Sequence, residues 1–154
     1  MNANNMNFEQ LFVESMFGLC VMAMVAIINI YSFAWITITY RQTLNQSASY
    51  GRHYEMLRFV AFTMLLVVAM LLSLSVWVFA LTSFGFISDW LAALLLTASY
   101  FTTVGNFAAH LPFGWRLIPS LIAFSGLFSF AWATGSSMSM AANLATHLEK
   151  HKQI

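Results

Sequence analysis

Thr102, Thr103, Val104 and Gly105 stand together inside a stretch that carries no charge between Asp89 and Arg116. The carbonyl oxygens of Thr103, Val104 and Gly105, with the Thr103 hydroxyl added, are the kind of ligand that can replace the hydration shell of a monovalent cation. Asn106 and Phe107 continue the run, and Pro112 and Gly114 then stop any long helical continuation. A Thr-rich bend in a buried hairpin accounts for the same residues, so composition leaves both readings open.

A second set of polar residues lies further along. Ser125, Ser129, Trp132, Ser136, Ser139 and Asn143 follow one another at spacings of four, three, four, three and four, which places them on one helical face. Such a stripe either packs closely on a neighbouring helix, for which Gly126, Ala131 and Gly135 are also suited, or lines an aqueous pathway. Next to an ion-binding loop the second use gains weight. Asn29, near the middle of an earlier apolar run, is expected to face another helix and hydrogen-bond there.

The remaining chemistry-bearing residues form no constellation. His147 and His151 are four apart but sit in a basic terminus, where solvation outweighs metal binding; His53 and His110 read as loop histidines. Ten methionines read as core filler, and one cysteine, Cys20, cannot form an intramolecular disulfide. No metal site and no cofactor is expected beyond permeant monovalent cations.

The elements that must position these residues are apolar helices. Of 154 residues, 60% are hydrophobic and only 7% charged, which excludes a soluble catalytic domain and points to one integral membrane domain. A span needs roughly 20 apolar residues. Three stretches qualify: residues 16–40, 59–86 and 117–146. Between the first two lies a polar connection, 41–58; Glu9 and Glu14 precede the first span at its aqueous end; 147–154 form a tail. The start lacks the basic region of a signal peptide, so the first span is read as retained.

The stretch 88–114 does not fit a fourth span. It opens with Ser88 and Asp89 as candidate helix caps, runs helically to Tyr100 and Phe101, and then meets β-branched residues, Gly105 and Pro112. Irregular backbone at membrane depth is tolerated only where protein or water satisfies its peptide groups, which describes a re-entrant loop. Charge gives a separate test. Arg41, Arg52 and Arg58 on one side and Lys150 and Lys152 on the other should both be cytoplasmic, so an even number of crossings must separate them. A stretch that dips and returns gives two, with the N-terminus outside.

TTVG after a short helix resembles the start of the potassium-channel filter TTVGYGD. WRLIPSLIAFSGLFSFAWAT, residues 115–134, is similar to WRLLGPLEAxNGLLxFGWST of short bacterial pore-loop channels. Trp115, Arg116, Leu117, Leu121, Ala123, Gly126, Leu127, Phe130, Trp132 and Thr134 coincide without a gap. The departures fall on Asn106, Phe107 and Ala108, in place of Tyr-Gly-Asp, and on Ile122, in place of a glutamate. The resemblance implies an all-α membrane protein with three transmembrane helices and a re-entrant pore helix and filter-like loop between the second and third. It implies a homotetramer in a bacterial inner membrane that passes potassium or sodium with weak selectivity. The altered outer filter leaves room for a different class, a non-conducting structural or regulatory subunit.

Overall fold

A computed structural model describes residues 8–46, 52–105, 115 and 117–150. Asn106, Phe107, Ala108, His110, Pro112, Gly114, Arg116, His151 and Lys152 lie outside the described residues. The described chain is all helical: α1 (Phe8–Gln46), α2 (Arg52–Ser83), α3 (Trp90–Phe101) and α4 (Ile118–Lys150). Three of these helices are long and apolar enough to cross a membrane, over Phe12–Asn45, His53–Ser83 and Ile118–Glu149, as in an integral membrane protein. α3, with 12 residues, falls short of the roughly 20 that a crossing requires.

The long helices exceed the apolar spans read from sequence. α1 has 39 residues, about 58 Å at 1.5 Å per residue, against a hydrocarbon core of about 30 Å. It runs without a proline from Phe8 to Gln46, so nothing in the chain stops it at Tyr40. The polar connection 41–58 is accordingly mostly helix: Arg41 belongs to the end of α1, and His53, Glu55 and Arg58 to the start of α2.

α1 buries one seam: Glu14, Gly18, Val21, Val25, Asn29, Phe33, Ile36, Tyr40 and Leu44. Most of these recur 11 residues apart, Glu14 with Val25 and Ile36, Gly18 with Asn29 and Tyr40. That period is close to an unstrained helix, so α1 keeps contact along its length with little supercoiling. Asn29 sits at the centre. Its Nδ2 donates to Ser129 Oγ of α4 at 2.6 Å, and its Oδ1 accepts from Ser73 Oγ of α2 at 2.6 Å. The expected interhelical bond is therefore a pair. All three residues are fully buried.

This triad divides the interior into two apolar clusters. Towards α3 lie Val25, Trp77, Leu81, Leu96, Ile118 and Ile122; towards the other end lie Phe33, Ile36, Tyr40, Leu66, Met140 and Leu144. Bonds near the helix ends fix the directions. Arg58 Nη1 donates to the Thr43 carbonyl at 3.0 Å, joining the start of α2 to the end of α1, so these two are antiparallel. Glu14 of α1 meets the first residues of α4, so α1 and α4 are parallel. The end of α1, the start of α2 and the C-terminal end of α4 thus lie at one end of the bundle.

α2 ends in a tight cap. Phe86 N–H donates to Leu81 O and Gly85 N–H to Thr82 O, both at 3.0 Å, with Gly85 at φ 71°. This double bond pattern needs a left-handed residue, and glycine supplies it without a steric penalty. The chain then turns back through Asp89, whose Oδ1 accepts from Leu91 N–H at 3.0 Å and starts α3.

α3 packs between α2 and α4, and its last residue meets Gly126. A Cβ at Gly126 would lie 1.9 Å from the Phe101 carbonyl oxygen. Only a glycine admits the end of α3 at this place, about 12 Å down α4 from Ile118. Gly126→Ala should therefore displace α3 and lower stability by about 1–3 kcal/mol, the usual range for overpacking. Thermal unfolding in detergent should show the loss; an unchanged midpoint would mean that α3 does not dock there.

Candidate functional site

Thr102 to Gly105 form the C-terminal cap of α3. Thr103 N–H donates to Tyr100 O at 2.9 Å and Val104 N–H to Ser99 O at 2.8 Å, the same double pattern that ends α2. The left-handed position that Gly85 fills there is filled here by Thr103, at φ 62°. A β-branched residue in that conformation is strained by roughly 1–2 kcal/mol. Gly105 follows at φ 71°, and its N–H also donates to Ser99 O, at 3.0 Å. The Thr102 hydroxyl donates to Ala98 O at 2.7 Å.

The backbone thus folds tightly against the end of α3. Thr102, Thr103, Val104 and Gly105 are all exposed, Val104 to 72%. Beneath them an open pocket of about 360 Å³ lies between α2 and α4, with Met70, Phe101, Gly126 and Phe130 in its walls. The C-terminal end of a helix carries the negative end of its dipole, so this corner favours a cation over an anion.

The stripe on α4 divides. Ser125 and Ser129 are buried inside the chain, Ser129 through its bond to Asn29. These two serve packing within the chain. Trp132 is 38% exposed and meets Phe128 edge-on at 5.3 Å. Ser136 and Ser139 line, with Trp132 and Thr37, a shallow pocket of about 380 Å³ between α1 and α4, and Asn143 is half-buried. The most outward surface of α4 carries Phe124, Leu127, Phe130 and Met138 instead.

Two polar contacts went unread in the sequence. Glu14 does not stand before the first span: it lies within α1, fully buried, and its Oε1 accepts from Leu117 N–H and, at 3.2 Å, from Ile118 N–H. Leu117 begins α4, since its carbonyl accepts from Leu121 N–H at 3.1 Å, yet its side chain has no oxygen to cap the helix. Glu14 supplies the missing cap from another helix. A carboxylate in phase with Gly18, Val21 and Val25 was the available signal. Phe17, Phe84, Phe86 and Trp115 pack edge to face, tilted and stacked over this end, with ring centroids 4.2–6.2 Å apart.

The second is Glu55, 2% exposed at the opposite end. Its Oε2 lies 3.3 Å from Arg58 Nη1, the nitrogen that also reaches the Thr43 carbonyl. Arg58 stacks on the Tyr54 ring at 4.9 Å. Glu14 and Glu55 thus place carboxylates inside α1 and α2, each buried against protein.

Comparisons of the chain with protein-family models, with curated proteins and with solved structures find no match.

Removing the carboxylate in Glu14→Ala leaves two amides at the α4 start without a partner and should cost about 1–2 kcal/mol. Glu14→Gln keeps an acceptor oxygen and should recover part of that. Unfolding of the three proteins in detergent orders them wild type, Gln, Ala; equal stability of Ala and wild type would show that Glu14 caps nothing.

Proposed function

We propose that the chain is a potassium-channel-like pore subunit for passive conduction of monovalent cations, with α3 as a re-entrant pore helix and Thr102 to Phe107 as a filter-like loop. The observation that carries this reading is Thr103. In one of two equivalent helix caps the chain uses glycine, and in the other it holds a strained threonine, in the motif whose carbonyls and hydroxyl suit a dehydrated cation. The position supports it as well: α3 is too short to cross and ends against Gly126, partway down α4.

One such subunit cannot surround a pathway. The reading therefore requires a homotetramer with four copies of the loop around an axis, in a bacterial inner membrane, the N-terminus outside and the C-terminus cytoplasmic. Permeant potassium or sodium is its only ligand, and it performs no catalysis. Selectivity is weak because Phe107 cannot replace a glycine in the outer filter, so fewer ordered oxygen rings remain.

A second reading, a non-conducting structural or regulatory subunit, draws on α4. The first two serines of its stripe, Ser125 and Ser129, are buried within the chain, and the outward face of α4 is apolar. Planar-bilayer recording on purified protein of known oligomeric state separates the two. The wild type should pass both cations with a reversal potential that barely shifts under opposed sodium and potassium gradients. The triple change Asn106→Tyr, Phe107→Gly, Ala108→Asp should sharpen the preference for potassium. Thr103→Gly should leave stability unchanged or raise it by up to about 1 kcal/mol while lowering conductance, since it removes the strain and the hydroxyl together. Silence of an assembled tetramer would favour the second reading.

A further inference from the structure

Hydroxyl groups on apolar helices usually bond back to their own backbone, and this chain follows that habit. Thr63, Ser75, Thr82, Ser129, Thr134 and Thr146 each donate to the carbonyl four residues earlier, at 2.7–3.0 Å. Ser125 departs from it, as do Thr37 and Thr97. The Ser125 side chain is 2% exposed and its hydroxyl has no partner among the described residues.

Trp77 shares this condition, fully buried and with an unpartnered indole Nε1. The register places the two together. α2 and α4 are antiparallel, and Ser73 and Ser129 are tied to the same Asn29. Trp77 is four residues after Ser73 and Ser125 four before Ser129, so both lie one turn from the triad on the α3 side. Val25, four before Asn29 and also buried, completes that layer. Ser125 adjoins Gly126, where the Phe101 carbonyl presses in, so the layer lies directly behind the end of α3.

We propose that this layer is a hydration site, in which a bound water accepts from Trp77 Nε1–H and donates to Ser125 Oγ. The indole is a donor only, so its partner must be an acceptor, and no described protein group takes that role. Asn29 has a second Nδ2–H beyond the one it gives Ser129, and in this site it gives the water a third bond, the usual number for a buried water. An unpaired indole N–H in an apolar interior is costly, and a single water removes that cost. The site extends the Asn29 triad by one layer and ties α2 and α4 together behind the TTVG segment. It does not depend on conduction.

The test uses the full chain in detergent with ¹⁵N-labelled tryptophan. The Trp77 indole resonance is assigned by replacing Trp35, Trp90, Trp115 and Trp132 with Phe one at a time. A rotating-frame cross-peak from the Trp77 indole proton to water, with the sign of a bound water and not of chemical exchange, is expected. It should be lost in Ser125→Ala. Trp77→Phe should lower the folded-to-unfolded ratio by about fivefold through the lost hydrogen bond. Absence of the cross-peak in the wild type, its survival in Ser125→Ala, or a Trp77→Phe protein as stable as wild type would each overturn the site. Should Trp77→Phe fail to fold, the cross-peak in the wild type and in Ser125→Ala decides alone.

Discussion

The bond pair at Asn29 is the constraint on which the rest of the bundle depends. In an apolar interior an amide has no water to fall back on, so its donor and acceptor must both be met by protein. Ser129 and Ser73 meet them from two different helices, each at 2.6 Å. A slide of one helix by a turn would break both and bury three polar side chains without partners. Van der Waals packing between apolar helices is tolerant of such slides, because one leucine-rich layer looks much like the next. The triad therefore sets the register, and the two apolar clusters on either side supply the contact area.

The helix ends obey the same rule by other means. The first amides of α4 are met by Glu14, and the Thr43 carbonyl near the end of α1 by Arg58. Each pairing puts the favourable charge on the helix dipole, negative at a start and positive near an end. Each also comes from a different helix, so a cap doubles as a tie. Glu14 holds α4 to α1 at the α3 end, and Arg58 holds α1 to α2 at the other. Together with the triad these give three polar fastenings at three depths. Double-mutant cycles in membrane proteins average about 0.6 kcal/mol for one interhelical hydrogen bond, so specificity of register is a larger part of their effect than stability.

Much of this was legible in the sequence and some was not, for reasons that particular residues make plain. Three long apolar helices, a shorter one opened by Asp89, and a change of backbone after Phe101 follow from hydropathy, capping and glycine placement. Asn29 was legible as a helix-facing amide because any other placement is too costly. Its partners were not, since Ser73 is one of several hydroxyls on α2 and periodicity cannot choose among them. Helix ends were read too short because charge was taken to mean solvent. Glu14 and Glu55 show the flaw: a charged group inside a protein interface satisfies the same electrostatic need as one in water. The α4 stripe was read as one face by its spacing, but a face about 27 Å long crosses two environments. Its upper part meets α1 inside the bundle, while its lower part opens into a groove.

The two capping motifs of this chain make a controlled comparison. Gly85 and Thr103 occupy the same position in the same double hydrogen-bond pattern, with φ 71° and 62°. Folding alone prefers glycine in both, because a β-branched side chain in the left-handed region crowds its own backbone. The strain at Thr103 is not relieved by burial, for the residue is exposed, nor by any bond of its hydroxyl to the described protein. It persists because α3 is held by what precedes it: the Asp89 cap fixes its start, and Gly126 fixes its end. A conformation imposed by the scaffold leaves the side chain free to be chosen for another purpose, and strained residues cluster where proteins act for that reason. On the conduction reading proposed above, the threonine hydroxyl, the Gly105 peptide and the negative end of α3 together suit a partly dehydrated cation.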